Sequence, residues 1–154
     1  VPSSQVVDEG IRMKTGQPQE GRPTIVVIFD GGSQGNPGPA YGSYRLEIPD
    51  RPPVVQRIDF GEELTNNQAE YRTLLAALHV LLAELEQNGA SPASFAVSIM
   101  TDSELVAHQL SGKYKVRHPN LQPLHREAMS LLDRFAEWSI TWRPREVIYS
   151  YFGH

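Results

Sequence analysis

Thr24-Ile25-Val26-Val27-Ile28-Phe29-Asp30 is a short apolar, β-branched run that closes on a carboxylate. It is too short for a buried helix, and its apolar residues fall on both faces, so it reads as a central strand covered on both sides. Ser94–Met100 is a second run of the same kind, and it too is followed by a carboxylate, Asp102. Two such strands require layers above and below them, which points to an α/β architecture.

The intervening segments support this. Gly31 to Pro39 holds four Gly and two Pro and reads as a turn. Tyr41–Ile48 and Val54–Phe60 alternate apolar with polar residues about the turn Pro49-Asp50-Arg51-Pro52-Pro53, an antiparallel meander. Period 2 then gives way to period 3.6: Tyr71, Leu74, Leu75, Leu78, Leu81, Leu82 and Leu85 form one helical stripe, stopped by Asn88-Gly89. A short helix is expected over Glu104–Leu110. A longer one enters at Asn120-Leu121-Gln122-Pro123 and runs to about Trp138, with Leu121, Leu124, Ala128, Leu131, Leu132 and Phe135 inward. Ser139–Arg143 is the last strand. The order β-β-β-α-β-α-α-β predicts a five-stranded mixed sheet, three antiparallel strands followed by parallel αβ crossovers, with helices packed on it. Sites in such sheets form beyond the C-terminal ends of strands.

The 154 residues suit one domain, expected over residues 23–154 behind a polar, flexible leader at 1–22. There is no cysteine, which excludes disulfides, a thiol nucleophile, a Cys-ligated zinc and an iron–sulfur cluster. No apolar run approaches a membrane span, so the expectation is a cytoplasmic, monomeric protein without a membrane partner. The net charge of −4 by itself disfavours a polyanionic partner. Its distribution reverses that. Residues 105–126 hold no acid and carry Lys113, Lys115, Arg117 and Arg126 together with His108, His118 and His125. Beside an acidic metal site, such a stretch fits phosphate contacts.

That acidic site is expected from Asp30, Asp102 and Glu70. Each has an ordinary structural explanation alone: a strand-end Asp is often a turn former, and a Glu entering a helix favours its dipole. If the two strands are neighbours, the two Asp stand about 5 Å apart in backbone position. Clustered anions repel unless a cation joins them, and oxygen-only ligation suits Mg²⁺ or Mn²⁺.

Three blocks carry a specific resemblance: Asp30-Gly31-Gly32-Ser33-Gln34-Gly35-Asn36-Pro37-Gly38, Thr65-Asn66-Asn67-Gln68-Ala69-Glu70 and Thr101-Asp102-Ser103-Glu104-Leu105-Val106. In order and spacing they resemble the signature of type 1 ribonuclease H, and the Leu110–Leu121 stretch is similar to its compact branch without a basic protrusion. The resemblance implies hydrolysis of the RNA strand of an RNA/DNA hybrid, leaving 5′-phosphate and 3′-hydroxyl ends, with two Mg²⁺ or Mn²⁺ ions held by Asp30 (bridging), Glu70 and Asp102. It also implies hybrid contacts from Asn36, Asn66 and Asn67, whose amides both donate and accept as a 2′-hydroxyl does. Asn66 reads equally as a helix cap, and Gly31, Gly35 and Gly38 as makers of a tight hairpin. Glu104 stands where many relatives carry Gln. Lys113, Lys115 and Arg117 are expected on the DNA strand.

The family's usual fourth acidic ligand, after the last strand, has no Asp counterpart in Trp142–His154. Glu146 lies too early, and His154 is nearer the expected spacing, so His154 is the expected substitute. Its imidazole would favour Mn²⁺. A flexible terminal His, or a chain ending before the true ligand, are the other readings. His79 is expected as a surface or partly buried spacer, Tyr114 in the core or else against a sugar, and Trp138 and Trp142 as packing rather than stacking. The rival functions are a non-cleaving hybrid-binding module of this fold, and another nuclease of the superfamily acting on DNA junctions or double-stranded RNA.

Overall fold

The computed structural model describes residues 11–12 and 21–153. The apolar run forms β2 (Thr24–Ser33), and it is indeed interior: β3 (Gly38–Glu47) pairs with it antiparallel on one side and β5 (Ala96–Thr101) parallel on the other. β4 (Val54–Leu64) extends the meander, and β6 (Glu137–Trp142) lies parallel beyond β5. These five strands are the expected mixed sheet. A two-residue strand, β1 (Ile11–Arg12), adds a sixth at the edge, antiparallel to β6, giving the order β1-β6-β5-β2-β3-β4 among the described residues. β1 falls within the stretch expected as a leader; residues 1–10 and 13–20 of that stretch lie outside the described residues.

One face of the sheet packs under α1 (Asn66–Gln87), α2 (Glu104–Leu110) and α3 (Gln122–Leu132). Alternate residues Ile25, Val27 and Phe29 join Leu74, Leu78, Leu81 and Leu85 of α1 in a single core cluster, each fully buried. The opposite face of β2 meets an element the sequence pattern did not show, the six-residue helix α4 (Arg145–Ser150). Ile28 and Ile148 are both fully buried yet lie outside the main cluster, as coverage of the second face requires.

Several boundaries differ from expectation for visible reasons. The turn after β2 shrinks to residues 34–37, because the ladder continues to the pair Ser33–Ala40. α3 stops at Leu132 rather than near Trp138. Phe135 keeps its helical spacing and is fully buried, but Ala136 N–H already bonds Phe95 O at 2.9 Å, so the backbone has turned toward β6. Trp138 is a core residue of β6, as expected. Tyr114 is not in the core: it is 48% exposed and meets the His108 ring edge-on at 4.7 Å. His79 is an exposed spacer bonded to Glu127. Among the described residues no helix is long and apolar enough to cross a membrane.

Candidate metal centre

The register of β2 on β5 pairs Ile28 with Met100. Two residues further on stand Asp30, still within β2, and Asp102, just past the end of β5, together at the C-terminal end of the parallel pair. Glu70 is the fifth residue of α1, not a first-turn residue, because the helix begins at Asn66 with Thr65 as its cap. The dipole therefore does not explain Glu70. It points at the sheet and is only 8% exposed. One ligand oxygen from each of Asp30, Glu70 and Asp102 lies within 4.8 Å of the other two, the one such cluster of acids and histidines among the described residues.

The approach of α1 to β2 depends on Gly31. A Cβ there would sit 2.6 Å from Ala69 O and 2.8 Å from Glu70 N, both backbone atoms. With no Cβ, the Gly31 N–H donates to Glu70 Oε1 at 2.8 Å and fixes that carboxylate toward the two Asp. Gly31 is thus a strand residue that seats the helix, not a hairpin maker. Gly35, at φ +96°, does serve the turn.

Three clustered carboxylates hold their protons unusually well. Burial, then the charge of Asp102, pushes Asp30 from its ordinary 3.8 up to about 6, with Arg145 pulling the other way. Burial, then Asp30 and Asp102, raises Glu70 well above the usual range; Gly31 N–H and Arg145 oppose. Burial also raises Asp102, again against Arg145. All-oxygen donors, mutually repelling and half-buried to buried, fit a hard divalent cation.

A stability consequence follows. The folded chain binds more protons at Asp30 than the unfolded chain between about pH 4 and 6, so this contribution is complete below pH 4 and is lost as pH rises through 6. Asn mimics the protonated form. In EDTA, Asp30→Asn is therefore expected to gain on the wild type by about 1–2 kcal/mol, after discounting for solvent screening, as pH rises from 4 to 7.5. That is roughly 2–8 °C in Tm, measured by circular dichroism. A difference in Tm that does not change with pH would contradict the repulsive cluster.

Comparison with known proteins agrees with this fold. A family model described as reverse transcriptase-like matches residues 50–149. RNase H1 from the halophilic archaeon Halobacterium salinarum NRC-1 superposes with a TM-score of 0.69 at 35% identity, covering 82% of this chain and 89% of that one. The chain belongs to the type 1 ribonuclease H family. LC11-RNase H1, solved in complex with RNA/DNA hybrid, superposes with a TM-score of 0.72 at 29% identity over 82% of this chain and 89% of that one. The bifunctional protein Rv2228c of Mycobacterium tuberculosis is 37% identical over 122 residues, 79% of this chain. The chain spans only 31% of the length of that relative.

Around the ribonuclease H carboxylates, the remaining sequence candidates separate into groups. Asn36, Asn66 and Asn67 converge where the β2–β3 turn meets α1. Asn36 Oδ1 accepts from Asn66 N–H at 2.9 Å, and Asn66 Oδ1 accepts from Ser33 N–H and Oγ, both at 3.0 Å. Asn66 is not the cap. Thr65 is, closing a capping box with Gln68. Asn36 and Asn67 line a cleft of about 180 Å³ whose far wall is His118, Asn120 and Leu121. Lys113, Lys115 and Arg117 are exposed on the loop leading to that wall. Glu104 is exposed at the start of α2. Glu146 is exposed on α4 and outside the carboxylate cluster, and His154 lies outside the described residues.

Two participants escaped sequence reading. Trp142 Nε1 donates to the Asp102 carbonyl at 3.1 Å, tying the end of β6 to the site. Arg145, the first residue of α4, places Nε 3.5 Å from Asp102 Oδ2. A Pro-Arg-Glu step followed by a single buried Ile was the only signal for α4, and six residues are too few for periodicity to reveal.

Proposed function

We propose that the chain is a metal-dependent endoribonuclease that hydrolyses the RNA strand of RNA/DNA hybrids, leaving 5′-phosphate and 3′-hydroxyl ends. The observation that carries this is the convergence of Asp30, Glu70 and Asp102 beside an amide-lined cleft in a type 1 ribonuclease H fold. When bound between these carboxylates, two Mg²⁺ or Mn²⁺ ions would activate the attacking water and stabilise the leaving 3′-oxygen.

The chain's own residues divide the remaining work. Asp30 would serve as the shared ligand, with Glu70, held by the Gly31 N–H, and Asp102, held through its backbone by Trp142, completing the shell. The bonds among Asn36, Asn66 and Ser33 orient the amides so that the Nδ2 groups stay available to the minor-groove edge and 2′-hydroxyls of a hybrid. Lys113, Lys115 and Arg117 contact phosphates of the DNA strand, and these contacts carry little sequence information. His154 is the proposed fourth ligand, on its position in the sequence. The protein acts as a cytoplasmic monomer.

The test is cleavage of labelled RNA/DNA hybrid, double-stranded RNA, DNA duplex and single-stranded RNA, each in Mg²⁺ and in Mn²⁺, with His154→Ala in parallel. Hybrid-selective, metal-dependent cleavage is expected, with His154→Ala impaired. Hybrid binding without cleavage in either metal would identify a binding module instead, and an unaffected His154→Ala would remove that residue from the site. Replacing Lys113, Lys115 and Arg117 together by Ala is expected to reduce the slope of log K against log salt by about 2–3, as loss of three phosphate contacts requires. An unchanged slope would place the hybrid elsewhere.

A further inference from the structure

We propose that Arg145 is a tethered counter-cation of the carboxylate cluster, competing with a divalent ion for Asp102 and so setting the metal concentration at which the site fills. This rests on the reading of Asp30, Glu70 and Asp102 as metal ligands.

Three observations carry it. First, Arg145 is the one cation within salt-bridge distance of Asp102 among the described residues, with Nε 3.5 Å from Oδ2, and its charge acts favourably on Asp30 and Glu70 as well. Second, the two partners are unequal. The Asp102 side chain is 8% exposed and that of Arg145 is 72% exposed, so the carboxylate is fixed and the guanidinium can swing into solvent. The root of α4 is nevertheless anchored, by fully buried Ile148 and by Arg143 N–H bonding Thr101 O at 2.9 Å. The guanidinium therefore cannot leave the neighbourhood, and its face lies 5.7 Å over the Tyr149 ring. Third, Arg cannot shed its charge at any working pH. A divalent ion that takes the Asp102 oxygens must displace the guanidinium and then bind beside it, against its repulsion. In the metal-free chain the same guanidinium offsets part of the repulsion among three anions. Arg145 thus stabilises the empty site and weakens the filled one.

Titration calorimetry of the metal-free full chain with MnCl₂ reads this without any reference to catalysis. Arg145→Gln is expected to tighten Mn²⁺ binding about three- to ten-fold, the range for losing a mostly exposed charge interaction next to a doubly charged ion. Arg145→Lys is expected to restore most of the wild-type Kd, and raising the salt from 50 to 500 mM to shrink the difference. Thermal unfolding supplies the second readout. Arg145→Gln should unfold at slightly lower temperature than the wild type in EDTA, yet gain more from Mn²⁺; a purely structural contact would lower both Tm values alike. A Kd for Arg145→Gln within two-fold of wild type would overturn the proposal while leaving the metal-ligand reading intact. Unchanged Mn²⁺ binding in Asp102→Asn would overturn both.

Discussion

Asp30→Asn is expected to lower hybrid cleavage at saturating substrate and metal by at least about three orders of magnitude while leaving hybrid affinity unchanged or improved. The change is isosteric and keeps a carbonyl oxygen in place, but it removes the negative charge that, in the proposed two-ion site, would let one side chain serve two cations. Losing that charge costs several kcal/mol of transition-state stabilisation, and each 1.36 kcal/mol is tenfold in rate. Affinity behaves differently, because Asp30 is one of three anions facing an incoming polyanion and its neutralisation relieves repulsion. Single-turnover cleavage and fluorescence anisotropy on the same hybrid separate the two effects. A loss below tenfold would remove Asp30 from the shared position. A parallel loss of affinity would mean that the side chain binds substrate rather than metal.

Gly31→Ala is expected to be nearly as damaging, although Gly31 carries no functional group. The added Cβ would lie 2.6 Å from Ala69 O and 2.7 Å from Ala69 C. Backbone cannot rotate away as a side-chain tip can, so α1 must lift from β2. Overpacking of this kind costs about 1–3 kcal/mol. For a domain of this size that is roughly 2–12 °C in Tm. The displacement also lengthens the Gly31 N–H to Glu70 bond of 2.8 Å and carries Glu70 away from Asp30. A misplacement near 1 Å can cost about 10²-fold in rate. Both the lower Tm and the slower cleavage should appear together, and Mg²⁺ should rescue less of the Tm than in the wild type. Normal stability with normal cleavage would show that the helix does not depend on this close approach.

How these features are written in the sequence differs from residue to residue. Asp30 and Asp102 were legible because each closes a run apolar on both faces, and central position in a sheet follows from that pattern. Glu70 was legible through its sequence block, but the physical reason first attached to it was wrong: the helix starts four residues earlier, at Asn66, and Glu70 is buried against the sheet instead of lying at a dipole end. Gly31 looked like turn chemistry because three further glycines and two prolines follow within eight residues. Its actual demand, contact with a helix backbone 38 residues downstream at Ala69, is a tertiary fact that local composition does not encode. The end of α3 was overestimated for the converse reason. Phe135 keeps helical spacing with Leu132 and Ala128, and burial alone does not distinguish a helical residue from one in the turn beyond. Arg145 was not legible because the family pattern after β6 calls for an anionic ligand, whereas the fold brings a cation to Asp102 there.

The net charge of −4 is similarly resolved by position. Three acids converge on one point, while the acid-free loop bearing Lys113, Lys115 and Arg117 leads to the opposite wall of the amide-lined cleft. A polyanion can be held by the second region while its scissile phosphate meets the first.

The most direct measurement is end-group analysis of the products formed from an internally labelled RNA/DNA hybrid by the full chain with Mg²⁺, with Mn²⁺ and with EDTA. Water attack directed by carboxylate-held ions predicts fragments that each carry a 5′-phosphate and a 3′-hydroxyl, formed in either metal and absent in EDTA. Cleavage that persists in EDTA, or fragments ending in 2′,3′-cyclic phosphate, would contradict it, because the RNA's own 2′-hydroxyl would then be the nucleophile and the three carboxylates would have no ion to hold.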